Sequence, residues 1–212
     1  MKVIQKLCSL YRQRSLKKQW RARNPHNHTY AVSAFPAESV TVGEGTYGPL
    51  RAVYYAGCDC RLTIGRYCSL AEQTTFLLGG EHPLDRVSTY PFGKWFEGDY
   101  ADCLSKGDIV LEDDVWLGYG VTVLSNARIR RGCVVAAGAV VVGELEPYGI
   151  YAGVPARLIR KRFSQEVIEK LMEIDYAAID RQFYLEHKEL FSVPATEETV
   201  GKLLDALQGG AT

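Results

Sequence analysis

Histidine stands at four positions, 26, 28, 82 and 187, and its imidazole exchanges protons near neutral pH without help from its surroundings. His26 and His28 lie in a polar segment ahead of the repeats, and His187 in a helical C-terminal region. His82 differs. It sits at the start of an aromatic stretch, 81–108, that holds Tyr90, Phe92, Trp95, Phe96 and Tyr100, in a position suited to a cleft. The chemistry such a group offers is removal of a proton from a weakly acidic hydroxyl. A lone loop histidine is by default solvated, so position alone leaves both readings open. Glu81 and Asp85 are close enough in sequence to orient the ring, or to point into solvent.

Six cysteines, at 8, 58, 60, 68, 103 and 133, are the other candidate nucleophiles. None has a histidine beside it in sequence. Cys68 and Cys133 fall in small, inward columns of the repeat, where a thiol behaves as a small hydrophobe and its thiolate is disfavoured. Cys103 in the aromatic stretch is the remaining reactive candidate. Cys58 and Cys60 are too close for a strain-free bridge and lack a second Cys/His pair at zinc-site spacing, so no metal is expected. Arg157, Arg160, Lys161 and Arg162 form a basic cluster suited to phosphates, or equally an ordinary basic surface.

The elements that must position these residues come from a six-residue period. From Leu111 to Glu146 the chain reads LEDDVW, LGYGVT, VLSNAR, IRRGCV, VAAGAV, VVGELE. Position one is aliphatic throughout, position five is aliphatic or small, and position four is Asp114, Gly120, Asn126, Gly132, Gly138 and Glu144. Gly, Asn and Asp reach left-handed backbone angles at least cost, so a tight corner is expected every six residues. Short strands joined by corners describe a parallel β-helix with a dry interior, because a single unit cannot bury its own apolar face. The same pattern recurs more weakly from Val42 to Tyr47 and from Ile64 to Gly80. It breaks between Tyr47 and Leu62 and again over 81–108. That second gap exceeds the ~12–15 residues beyond which loops are usually functional or disordered, and its aromatic content suggests an ordered excursion packed on something.

Composition bounds the rest. With 47% apolar residues in 212, the chain supports one elongated domain and terminal additions. Net charge is zero but unevenly spread: residues 1–23 carry bases and no acid, whereas acids dominate after Ser164. The basic start, with Val3, Ile4, Leu7, Leu10, Leu16 and Trp20 as its apolar side, reads as a helix docked on the subunit or a neighbour, or as a peripheral membrane contact. No apolar run approaches a membrane span and no secretory h-region is present, so a cytoplasmic location is expected. Ser164 is placed to cap a helix with Val167, Ile168, Leu171, Ile174, Ala178 and Ile179 on one face, and Thr196 a second with Val200, Leu203, Leu204 and Leu207. Nucleic-acid binding has no support beyond the basic start.

Three motifs then carry a resemblance. The run Gly79 to Phe92, GGEHPLDRVSTYPF, is followed by Asp114 to Gly120, DVWLGYG, and closed by Gly153 to Arg157, GVPAR. In this order they resemble the hexapeptide-repeat acyltransferases, and within them the xenobiotic acyltransferase branch of streptogramin, chloramphenicol and sugar O-acetyltransferases. The likeness covers roughly residues 28–165. It implies a mainly β fold, a left-handed parallel β-helix against the usual right-handed crossover, with an extruded loop, an N-terminal helix and C-terminal α-helices. It also implies a homotrimer with sites between subunits, acetyl-CoA as co-substrate and His82 as general base in a ternary complex. The branch commonly has Asn before this histidine, where Glu81 stands here.

Division of the chain follows: a basic helical segment 1–27, an acyltransferase domain 28–160 with the loop 81–108, and a helical extension 161–212. Coenzyme contacts are expected from Trp116, from backbone amides near Trp116 to Gly118 and Ala136, Ala137 and Gly138, and from Arg157, Lys161 and Arg162 with its phosphates. The acceptor is a small-molecule or glycan hydroxyl. A sugar of surface-polysaccharide synthesis is the first reading, because the basic start resembles that of polysaccharide-cluster members, and an antibiotic of streptogramin or chloramphenicol type is the alternative. A metal-dependent hydratase on the same coil would need three histidine ligands, and His82 is alone between Tyr30 and Glu186.

Overall fold

A computed structural model describes residues 14–55, 59–99 and 104–209. The chain winds past three sheets in rotation. The first face holds strands Val40–Val42, Leu62–Ile64, Ile109–Leu111, Arg128–Ile129 and Glu144–Leu145. The second stacks His28–Ala31, Tyr47–Leu50, Ser69–Leu70, Trp116–Leu117, Val134–Val135, Gly149–Ala152 and Arg157–Lys161. The third holds Ala52–Val53, Thr75–Leu77, Thr122–Val123 and Val140–Val141. Each coil adds a strand to each face, in parallel register such as Leu62↔Ile109, Ser69↔Trp116 and Thr75↔Thr122. The last strand, Arg157–Lys161, runs antiparallel to Gly149–Ala152 and ends the second face.

The inward columns are those of the hexads. Leu111, Leu117, Val123, Ile129, Val135 and Val141 are buried, as are Val115, Val121, Ala127, Cys133, Ala139 and Leu145. Each large member contributes on the order of 1.5–3 kcal/mol by leaving water. Five expected corners have positive φ: Asp114, Gly120, Asn126, Gly132 and Gly138. The sixth does not fall at Glu144. That residue is extended and paired with Arg128, while Gly143 and then Tyr148 take the left-handed angle. The final sides therefore run on five residues, and Leu145 still points inward. Gly132 is required for a second reason, since a Cβ there would enter the ring of Tyr148 one coil further on.

Both terminal additions pack on the coil. In the helix over residues 14–23, Trp20 is buried, donates from Nε1 to Thr29 Oγ1 at 2.9 Å and meets Phe35 edge-on. Among the described residues this helix docks on its own subunit. Ser164 caps the helix Gln165–Met172, accepting from the Val167 amide. Sequence periodicity extends that helix to Ile179, and here the structure differs. Asp175 caps a 3-10 turn, Tyr176–Ala178, and Asp180 caps a further helix, Arg181–Glu186, so two carboxylates capture amides that a continuous helix would use. The helix Glu197–Gly209 follows Thr196, whose hydroxyl accepts from the Thr199 amide. Val167, Ile168, Leu171, Ile174, Ile179, Val200 and Leu203 form with Tyr148 a second core against the coil's corner.

Cys60, Cys68 and Cys133 are buried, and Cys68 and Cys133 are free thiols. Burial pushes Cys68 up to about 12 and Cys133 up to about 11. We expect N-ethylmaleimide to leave Cys68 and Cys133 unmodified in the native protein and to label them once it is denatured. Peptide mapping by mass spectrometry checks this, and native labelling of Cys68 at neutral pH would show that the interior opens. Cys8, Cys58 and Cys103 lie outside the described residues.

Candidate active site

The loop bearing His82 leaves the coil after the third-face strand Thr75–Leu77 and returns to the first face at Ile109. Its base is pinned. The amides of Gly80 and Glu81 donate to the Leu104 carbonyl at 3.1 and 3.2 Å, and the Leu104 amide donates to Glu81 O at 3.0 Å. Neighbouring residues of an extended pair point to opposite sides, and Glu81 and His82 follow this rule. Glu81 is half-buried and accepts at Oε1 from the Ser125 hydroxyl, while His82 is exposed. The sequence offered Glu81 as ring orienter or solvent-facing carboxylate; its side chain instead ties the loop to the next coil. Its other oxygen, Oε2, is buried without a partner. Asp85 is exposed, and no hydrogen bond joins it to His82 among the described residues.

Beyond the base, the loop presents apolar side chains. Leu84, Val87, Tyr90, Phe92, Trp95 and Phe96 are all exposed. Phe92 stands 4.8 Å from Tyr90 and 5.6 Å from Phe96 between ring centroids, in and beside the short helix Phe92–Phe96. Among the described residues, these ring contacts lie within the excursion itself. Tyr100 lies outside the described residues.

On the second face Trp116 is 54% exposed, so its ring is available to a ligand. The amides expected around it are mostly committed. Trp116 donates to Cys133 O at 2.9 Å, while Gly118, Ala136 and Gly138 donate to Val135, Tyr151 and Tyr119 carbonyls at 2.8 Å. The coil-to-coil ladder consumes all four, which corrects their expected role as ligand donors. Among the described residues the Ala137 amide makes no such bond. It faces Gly118 closely enough that a Cβ on Gly118 would lie 2.8 Å from it, so the absence of a side chain there lets the two coils stack closely.

The basic cluster also divides. Arg162 donates to Asp114 Oδ2 at 3.1 Å and to Gly132 O at 2.7 Å, with its guanidinium over the Tyr148 and Phe163 rings. Burial raises the Asp114 pKa, against the pull of that guanidinium. Arg162, expected as a phosphate contact, is thus engaged with the corner of the coil. Lys161 Nζ donates to Glu146 at 2.9 Å and to Pro147 O, so it is partly engaged. Among the described residues, Arg157 and Arg160 bond only to neighbouring carbonyls and have no carboxylate partner. These two are the cations left for an anionic ligand. Ser125 was missed from sequence, where it reads as an ordinary corner residue, because its importance depends on a partner 44 positions earlier.

No protein-family model matches the sequence. Over 130 residues the chain is 39% identical to a protein of Lysinibacillus sphaericus described as a probable macrolide acetyltransferase, covering 58% of this chain and 72% of that one. It is 35% identical over 165 residues to the virginiamycin A acetyltransferase of Staphylococcus aureus, covering 71% and 75%. It also matches a chloramphenicol acetyltransferase of Agrobacterium fabrum at 35% identity, spanning 60% of that protein's length. Among solved structures, the hexapeptide-repeat acetyltransferase of Vibrio cholerae complexed with acetyl-coenzyme A superposes with a TM-score of 0.50 at 24% identity, over 74% of this chain and 84% of that one. That likeness establishes the coil as the hexapeptide-repeat fold.

Proposed function

Because the chain belongs to the xenobiotic acyltransferase branch of the hexapeptide-repeat acyltransferases, we propose that it moves acetyl from acetyl-CoA to an acceptor hydroxyl, with His82 as general base. The observation that carries this reading is the pinned loop base, which turns His82 outward while Glu81 faces in. A neutral ring nitrogen accepts the hydroxyl proton as the acceptor oxygen attacks the thioester carbonyl; the C–O bond forms, the C–S bond breaks, and the proton passes to the departing sulfur. The Ala137 amide suits a pantetheine carbonyl or a developing oxyanion. Arg157 and Arg160 suit the coenzyme's phosphates.

Two acceptors are in play. A sugar hydroxyl of surface-polysaccharide synthesis draws on the basic helix, where Lys17, Lys18 and Arg23 are exposed beside the docked Trp20. An antibiotic hydroxyl draws on the exposed apolar loop and on the names of the relatives, and those two observations favour it. The loop's uncovered aromatic side chains also support a homotrimer in which a neighbour completes the site. We further propose a left-handed winding, a cytoplasmic location consistent with the buried free thiols, and the segments 1–27, 28–160 and 161–212 as units. No helix of the described residues is long and apolar enough to cross a membrane. The test is thiol release from acetyl-CoA against a panel of macrolides, streptogramins, chloramphenicol, sugars and nucleotide sugars, with light scattering on the same sample. Release with one class assigns the acceptor. No release with any member, or a mass other than three chains, removes the corresponding proposal.

A further inference from the structure

We propose that Ser125 is a positioning residue for His82; this rests on the reading of His82 as base. Ser125 is 4% exposed, at the corner of the coil that follows the loop, and its hydroxyl donates to Glu81 Oε1. Ser125 Oγ in turn accepts from the Lys106 amide at 3.4 Å, close to the loop's returning end. One hydroxyl therefore joins the outgoing strand of the loop to its returning strand and both to the rigid coil. Glu81 needs it. The buried Oε2 has no partner, so the Ser125 bond is the one side-chain hydrogen bond that compensates this carboxyl for leaving water, among the described residues. Without the hydroxyl, both carboxyl oxygens would be buried and unpaired, and the relief is for Glu81 to swing towards solvent. His82 is the next residue, on the opposite side of the same extended segment, so that swing turns the imidazole away from its reacting partner.

Displacement by about 1 Å is enough to cost up to about 10²-fold in turnover. Ser125→Ala is thus expected to lower kcat between about 10- and 10²-fold while leaving the KM for acetyl-CoA unchanged. Ser125→Thr, which keeps the hydroxyl, is expected to restore most of the loss. Added to His82→Ala, Ser125→Ala is expected to cost nothing further, because its effect passes through the ring. Should Ser125→Ala fail to fold, Glu81→Ala/Ser125→Ala leaves no carboxyl buried unpaired, while the loop base still loses its side-chain tie to the coil, so His82 is held less firmly and kcat should again fall. Wild-type kcat in the folded single or double variant overturns the proposal, as does a loss that persists at full size without His82. Full activity of His82→Ala would instead overturn the reading of the base itself.

Discussion

His82→Ala is expected to cut acetyl transfer by about 10²–10⁴-fold, the range a positioned proton acceptor supplies. The loss should fall on kcat, with the KM for acetyl-CoA little changed, because an exposed loop imidazole with no described hydrogen bond contributes nothing to the fold or to the coenzyme groove. Thermal unfolding should likewise be unaltered. Steady-state kinetics with the acceptor found in the panel measures both constants. Near-normal turnover would remove the ring from the mechanism, and a large rise in KM with unchanged kcat would reassign it to binding. The alternative nucleophile is poorly placed by comparison. Cys68 and Cys133 are held far from their thiolate forms inside the coil, and attack through either would have to open the interior first.

Phe76→Ala is expected to destabilise the protein by about 3–5 kcal/mol, the cost of removing a large aromatic from a core that cannot collapse around the gap. Phe76 is fully buried and faces Ala52 on one coil and Val123 on the next, so its ring spans neighbouring rungs. For a chain of this size the unfolding midpoint should fall by roughly 6–20 °C. Differential scanning calorimetry at fixed protein concentration measures it. A fall of a degree or two would mean that the rungs close over the hole and that packing between coils is looser than the burial indicates.

The period of six was legible because it is a local property. Each inward column is set by side-chain size at fixed spacing, and no distant partner is needed to read it. Asp114, Asn126 and the glycines announce their corners by backbone preference alone. Failure begins where stacking decides. The shift of the last corner from Glu144 to Gly143 follows from Leu145 staying inward above Ile129, a contact between coils. Glu81 was judged by its neighbour in sequence, whereas its hydrogen bond goes to a residue one coil away. Arg162 looked equivalent to Arg157, yet only the fold brings Asp114 and Gly132 beneath it. The break after Met172 was visible in retrospect, since Asp175 and Asp180 are both strong helix starters. Amphipathic spacing across them concealed it.

The antiparallel turn at the end of the second face has a consequence for solution behaviour. A stack of parallel rungs is open at each end and, left bare, would template its own growth into a filament. Here the terminal rung is reversed and carries Arg157, Arg160 and Lys161, while the opposite mouth is stoppered by Trp20. End-to-end meeting of two molecules through the reversed strand would crowd like charges together, which disfavours such stacking.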